Sequence, residues 1–213
     1  IDDANLTDIR TAIAGAITSQ ALSNHNIESF TIIGTGLQAR YQAIYVSELM
    51  NIKKVRVWGR DPAKTDQVKK DLSGLDVNAE DDLENLIKES RLIITTTSSK
   101  EPLIQSNWVQ PGTHITAVGS DTPEKCELDP NILSTADLVV ADSLEQNLIR
   151  GEIHQAVKRS LINSQSIVEL GEIFAGLKPG RINDDSITVA DLTGVAVQDL
   201  VIAKAVLRAK KES

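Results

Sequence analysis

The chain has 213 residues, 41% hydrophobic and 24% charged, which excludes a disordered or collagen-like polymer and allows one domain, or one and part of a second. Its 22 basic and 30 acidic residues leave a net charge of −8, the wrong sign for a nucleic-acid or anionic-membrane partner. The single Cys126 excludes a disulfide framework and a cysteine-built zinc site, and no apolar run approaches the ~18 residues that cross a bilayer. The opening IDDANLTDIR does not read as a signal peptide, so a cytoplasmic location is expected. Aromatics are only 3%, so the core must be built from Ile, Leu, Val and Ala.

In chain order, DIRTAIAGAITSQALS spaces Ile9, Ile13 and Ile17 as a helix, with Thr7 or Asp8 able to cap it. FTIIG is a β-branched run ending in glycine, as a buried parallel strand should be. GLQARYQAIYVSELM follows as a helix and KKVRVWGRD as a second strand. Asp61 at an N-cap and Pro62 at the first helical position start the next helix. DDLENLIKES is a third helix after the glycine loop, and RLIITTTS, THITAVGS, ADLVVADS and SITVADLTG are further strands. The segments between the last two strands are read as mostly helical, QSIVELGEIFAGL among them, and GVAVQDLVIAKAVLRAKK is a closing helix. This alternation predicts an α/β fold, a Rossmann-type doubly wound, mostly parallel sheet with helices on both faces. The expected organisation is an incoming helix over 1–28, a dinucleotide-binding domain over 29–192, and a C-terminal helix over 193–213.

Gly34, Gly36 and Ala39 in IIGTGLQAR form G-x-G-x-x-A between a strand and a helix. Gly34 permits the tight turn and Gly36 the approach of a pyrophosphate; Ala39 keeps helix and sheet close, and the helix N-terminus offers N–H groups to the anion. At the end of the next strand, where an NAD enzyme presents a carboxylate to the ribose, stand Gly59 and Arg60. Arg60 can grip a 2′-phosphate bidentately, with Lys64 one turn on, so NADP(H) is the expected cofactor and NAD(H) the second choice. The competing reading of Arg60 is a solvated surface arginine.

His25, His114 and His154 share no ligand spacing with one another or with Cys126, and no metal is expected. There is no G-x-S-x-G elbow and no G-x-x-x-x-G-K-[ST] loop, which disfavours a serine hydrolase and a nucleoside triphosphatase. Gly119-Ser120-Asp121 falls just past a strand end, where Asp121 can either face a substrate or cap the turn before Pro123. The polar run Thr95-Thr96-Thr97-Ser98 can line a cofactor or merely end its strand.

LTDIRTAIAGAI, IIGTGLQAR, VRVWGRDPAK, ITTTSSKEPLI, the block WVQPGTHITAVGSDTPEKCELD, IVELGEI and ITVADLTGVAVQDL, in that order, resemble the ornithine cyclodeaminase/mu-crystallin family from about Asn5 to Ala209. The resemblance implies a phosphate-contacting pair in Arg10 and Thr11, a pyrophosphate loop over Gly34, Thr35, Gly36, Leu37 and Gln38, and an adenosine-ribose site at Arg60. It implies nicotinamide contacts from Thr96, Thr97, Val118, Gly119, Ser120 and Lys125, a further cofactor contact at Thr193-Gly194, and a catalytic Asp121. It also implies an N-terminal lobe ahead of Ile1 that clamps the substrate carboxylate and helps to build a homodimer; the C-terminal helix would pack on that lobe and otherwise expose an apolar face. The expected activity is reduction of a small cyclic imine such as Δ1-pyrroline-2-carboxylate. The alternatives are ornithine cyclodeamination with recycled NAD, and a non-catalytic binder of NADPH and a small ligand.

Overall fold

The computed structural model describes residues 3–212, with side chains over 6–209; the first two residues of the expected incoming segment and the last of the closing helix lie outside them. Among the described residues, eight strands form one sheet: β1 (Ser29–Ile33), β2 (Lys54–Trp58), β3 (Asp76–Glu80), β4 (Leu92–Thr95), β5 (His114–Ala117), β6 (Leu138–Ala141), β7 (Val168–Glu169) and β8 (Thr188–Asp191). All pairings are parallel, in the order β3-β2-β1-β4-β5-β8-β6-β7. Parallel strands need crossovers, and among the described residues nine helices supply them or flank them: α1 (Asp3–Leu22), α2 (Leu37–Met50), α3 (Pro62–Asp71), α4 (Leu83–Glu89), α5 (Asn131–Thr135), α6 (Leu144–Asn147), α7 (Gly151–Lys158), α8 (Leu170–Phe174) and α9 (Ala196–Glu212). The doubly wound class expected from the alternation is therefore the observed one.

The central strands β1, β4, β5, β6 and β8 are almost entirely buried, as a sheet covered on both faces demands. One apolar cluster, with Ala16, Phe30, Ala43, Val46, Val57 and Val68, lies under α1, α2 and α3. A second, with Leu86, Ile87, Ile115, Ile132 and Ile153, lies under α4, α5 and α7 on the other face. Aliphatic side chains dominate both, and Phe30 is the one fully buried large aromatic among the described residues.

Three elements differ from the sequence reading. The first helix begins at Asp3 rather than near Asp8. Strand β3, DVNAE, carries no strand signature because it is a polar edge strand with only Val77 buried; its register with β2 comes from pairing, Val55 opposite Val77. The segment QSIVELGEIFAGL, read as one helix, is instead a 3₁₀ turn (Ser164–Ser166), the two-residue strand β7 and the short α8. Glu169 caps α8 reciprocally with Glu172, so the chain breaks its helical spacing at a capping box.

Candidate active site

β1 and β4 are neighbours whose onward connections run to opposite edges of the sheet, and such a switch point leaves a crevice at the carboxyl ends of the strands. A cleft of about 390 Å³ opens there. It brings together the three sequence signals: the glycine loop, the end of β2 and the polar ends of β4 and β5.

Gly34 has φ +133°, and a Cβ on it would lie 2.4 Å from Thr96 Oγ1, so glycine is required by conformation and by space. A Cβ on Gly36 would meet nothing within 4 Å, because it faces the open cleft. Gly36 is the N-cap of α2 and offers no side-chain cap, which leaves first-turn N–H groups for an anion. Ala39 is fully buried and keeps α2 against the sheet. Gln38 donates from Nε2 to the Asp8 carbonyl and carboxylate, both at 3.1 Å, and so ties the loop to α1. These features fit a bound pyrophosphate.

At the end of β2, a Cβ on Gly59 would sit 2.4 Å from Thr35 Cγ2, so a side chain at this position would have to displace Thr35. Asp61 also lines the cleft, but its carboxylate is engaged as the cap of α3, accepting from the Ala63 N–H at 3.0 Å. Arg60 and Lys64 line the cleft, exposed, and among the described residues neither is in an ion pair. The third wall is Thr96, Thr97, Ser98, Val118, Gly119, Asp121 and Lys125. Lys125 Nζ lies 2.5 Å from Asp121 Oδ1, holding a half-exposed carboxylate at the rim.

Other expected residues lie outside that lining. Leu37 is half exposed beside the loop. Thr11 donates its hydroxyl to the Thr7 carbonyl at 2.7 Å. Arg10 bonds Gln198 and Asp199 of α9, both at 2.9 Å, instead of entering the cleft. A Cβ on Gly194 would come within 2.8 Å of the Arg10 guanidinium, so these two expected contacts are neighbours. Thr193 and the Gly194 N–H donate to Asp142, whose carboxyl burial holds above the usual carboxylate range. Ser120 is buried and donates to Glu152 below the floor.

That floor holds what the sequence reading missed. Glu127, Glu152 and Asp191 are all fully buried. Glu127 accepts from the Thr95 hydroxyl (2.7 Å), the Thr97 N–H (2.5 Å) and the Gly119 N–H (2.9 Å). Glu152 accepts from Ser120 and from the N–H groups of Glu127 (2.7 Å) and Leu128 (3.2 Å). Asp191 accepts from the Ile153 N–H at 2.8 Å through Oδ2, while its Oδ1 has no partner among the described residues. Burial first, then a neighbouring carboxylate, pushes Glu127 and Glu152 up to about 7; burial likewise takes Asp191 to about 7. Every oxygen of Glu127 and Glu152 faces a backbone N–H, so hydrogen bonding favours their anions, and the unpartnered Oδ1 of Asp191 is where a proton on this cluster belongs. The available signal was Asp191 itself, a carboxylate closing the apolar strand ITVAD; nothing distinguished Glu127 or Glu152 from surface charge.

His114, His154 and Cys126 are held within the fold, and His25 is exposed in the turn before β1. His114 is buried between Thr116 and Thr188 and pushed down to about 3 by burial, hence neutral. His154 Nδ1 lies 2.9 Å from the Leu148 carbonyl. Cys126 is buried, its thiol pushed up to about 12. Among the described residues no three His, Cys, Asp or Glu side chains are grouped to hold a metal ion, and no helix is long and apolar enough to cross a membrane.

The model of the ornithine cyclodeaminase/mu-crystallin family matches residues 1–213. The chain belongs to that family. A putative dehydrogenase of Rhizobium meliloti is 41% identical over 95% of this chain and 63% of its own length. The solved iminosuccinate reductase of Paracoccus denitrificans in complex with NAD+ is 34% identical, with a TM-score of 0.89 over 97% of this chain and 64% of that one. The solved Δ1-pyrroline-2-carboxylate reductase of Thermococcus litoralis in complex with NADH and L-proline is 31% identical, with a TM-score of 0.86 over 93% of this chain and 63% of that one. The chain thus spans a little under two thirds of the family members it matches.

Proposed function

We propose that this chain is the dinucleotide-binding part of a nicotinamide-dependent oxidoreductase that reduces a small cyclic α-imino acid of the Δ1-pyrroline-2-carboxylate kind, with NADP(H) preferred over NAD(H). The observation that carries the reading is the single cleft at the switch point, with the glycine loop on one wall, Arg60 and Lys64 at the end of β2, and Asp121 at the far rim. Similarity to an iminosuccinate reductase holding NAD+ and a pyrroline-carboxylate reductase holding NADH and L-proline supports the substrate class.

The residues divide the work. Gly34, Gly36 and the first turn of α2 would hold the pyrophosphate, and Arg60 with Lys64 a 2′-phosphate. Thr96, Thr97, Val118 and Gly119 would line the nicotinamide half, which supplies the hydride. Reducing C=N needs a hydride at carbon and a proton at nitrogen. Asp121, at the rim and paired with Lys125, would stabilise the protonated nitrogen and pass that proton. A non-catalytic binder would use the same loop but would need no carboxylate at that rim. The half-exposed apolar side chains of α9 (Val197, Leu200, Val201 and Leu207) support a larger assembly for the whole protein, and a homodimer belongs to the same reading.

Fluorescence titration of the chain with NADPH and NADH tests the cofactor. NADPH should bind one to two decades more tightly, from ~1.5–3 kcal/mol of charge-assisted bonding, and Arg60→Ala should remove most of that margin. Equal affinities, or an Arg60→Ala protein that keeps the margin, would defeat the NADP(H) preference. For the substrate, the full-length protein should oxidise NADPH with Δ1-pyrroline-2-carboxylate; cyclisation of ornithine without net cofactor consumption would replace that reading.

A further inference from the structure

Two strand ends meet the cleft at its ring end, β4 through Thr97 and β5 through Gly119, and both backbone N–H groups point at one buried carboxylate. Glu127 takes the Thr97 N–H on Oε1 at 2.5 Å, and the Gly119 N–H on Oε2 at 2.9 Å with the Thr95 hydroxyl at 2.7 Å. The approach is as close as a main chain permits: a Cβ on Gly119 would lie 2.2 Å from the Thr97 carbonyl oxygen and 2.5 Å from Glu127 Oε2. Glu127 is itself held from behind. Its N–H donates to Glu152 Oε1 at 2.7 Å, and its carbonyl accepts from Leu103 and Ile104 at 2.8 and 3.2 Å. The glycine loop is fixed by other bonds: the Thr96 N–H to the Ile33 carbonyl at 2.9 Å, and the Gly34 N–H to the Trp58 carbonyl at 2.9 Å.

Resting on the dinucleotide reading above, we propose that Glu127 is a positioning residue for the ring end of the cleft. Its carboxylate sets the separation of the Thr97 and Gly119 backbones across which the nicotinamide half of the bound dinucleotide lies, while the adenosine end is positioned independently. Only an acceptor on both oxygens can serve. A glutamine would turn an NH₂ toward one of the two backbone N–H groups, leaving buried donors face to face.

The test separates the two ends of the ligand. Wild type, Glu127→Gln and Thr95→Val are titrated with NADPH and with 2′-phospho-ADP-ribose, the same molecule without its nicotinamide. Wild type should bind NADPH more tightly than the truncated nucleotide. In Glu127→Gln that gain should shrink by on the order of tenfold, so that the two affinities converge, while the truncated nucleotide binds as before. A general loss of stability would weaken both ligands together and would overturn the proposal. Thr95→Val removes one of the three donors without changing shape, and should reduce the gain in the same direction by a smaller factor. If Glu127→Gln does not fold, Thr95→Val alone decides. An undiminished gain in whichever variant folds, or a wild type that gains nothing from the ring, overturns the proposal. A wild type that binds neither of these nucleotides, nor NADH, overturns the dinucleotide reading beneath it.

Discussion

Gly36 and Asp121 test the two ends of the cleft one side chain at a time. A Cβ at Gly36 meets no protein atom within 4 Å, so Gly36→Val should fold with an unchanged melting temperature. The isopropyl group would nevertheless fill the space that a pyrophosphate needs, and nucleotide binding should fall by at least two decades, ~3 kcal/mol. Titration alongside circular dichroism checks both halves; a folded variant with normal affinity would mean that the loop holds no phosphate. At the rim, Asp121→Asn in the full-length protein keeps the shape but removes the anion that pairs with Lys125. The rate should drop ~10²–10⁴-fold with NADPH affinity nearly constant. A tenfold or smaller loss of kcat/KM would return Asp121 to a turn cap and move the proton chemistry elsewhere.

At the scale of elements, α7 shows how the sheet and a helix start fix each other. Gly151 opens α7 at φ +90°, and a Cβ there would lie 2.4 Å from Asp191 Oδ2 at the end of β8. The same carboxylate accepts the Ile153 N–H, capping α7 from across the sheet edge. Gly151→Ala therefore meets both a left-handed backbone and an occupied position. It should cost ~1–3 kcal/mol, and with ~2–4 °C per kcal/mol for a chain of this size the melting temperature should fall by roughly 2–12 °C. Thermal unfolding followed by circular dichroism reads this directly, and an unchanged transition would show that the α7 start relaxes freely. Since α7 also carries Glu152, which holds the main chain of Glu127 and Leu128, the variant should loosen the cleft floor too.

At the scale of the molecule, three carboxyl groups pushed up to about 7 by burial make stability depend on pH. In the unfolded chain they titrate near ~4, so between about pH 4 and 7 the folded cluster holds protons, on Asp191 ahead of Glu127 and Glu152, that the unfolded chain has released. Their contribution is complete below about pH 4 and is lost as pH rises through about 7, and the growing net negative charge acts in the same direction. The denaturant midpoint should therefore fall between about pH 5 and about pH 8. Asp191→Asn removes the group with an unpartnered oxygen, and should recover ~1–3 kcal/mol at about pH 8 while changing little at about pH 5. Parallel slopes for the two proteins would show that Asp191 is ionised throughout.

Local rules in the sequence were enough for the alternation of apolar strands with helices, the glycine loop between β1 and α2, the Asp61-Pro62 helix start and the placement of Arg60 at a strand tip. Each is decided within about twenty residues of chain, by side-chain period, φ preference or capping chemistry. Polar edge strand β3 and the broken segment around β7 were not legible. Strand β3 takes its conformation from pairing with β2 and β7 from pairing with β6, while the Glu169–Glu172 capping box sets the start of α8. The order of the strands, and with it the switch point that opens the cleft, depends on which crossovers pack on which face. The buried carboxylates were hidden for the same reason. Glu127, Glu152 and Asp191 are far apart in the chain, the two glutamates look like ordinary surface charge, and only the closure of three strand ends and the start of α7 over them gathers the three into the floor of the site.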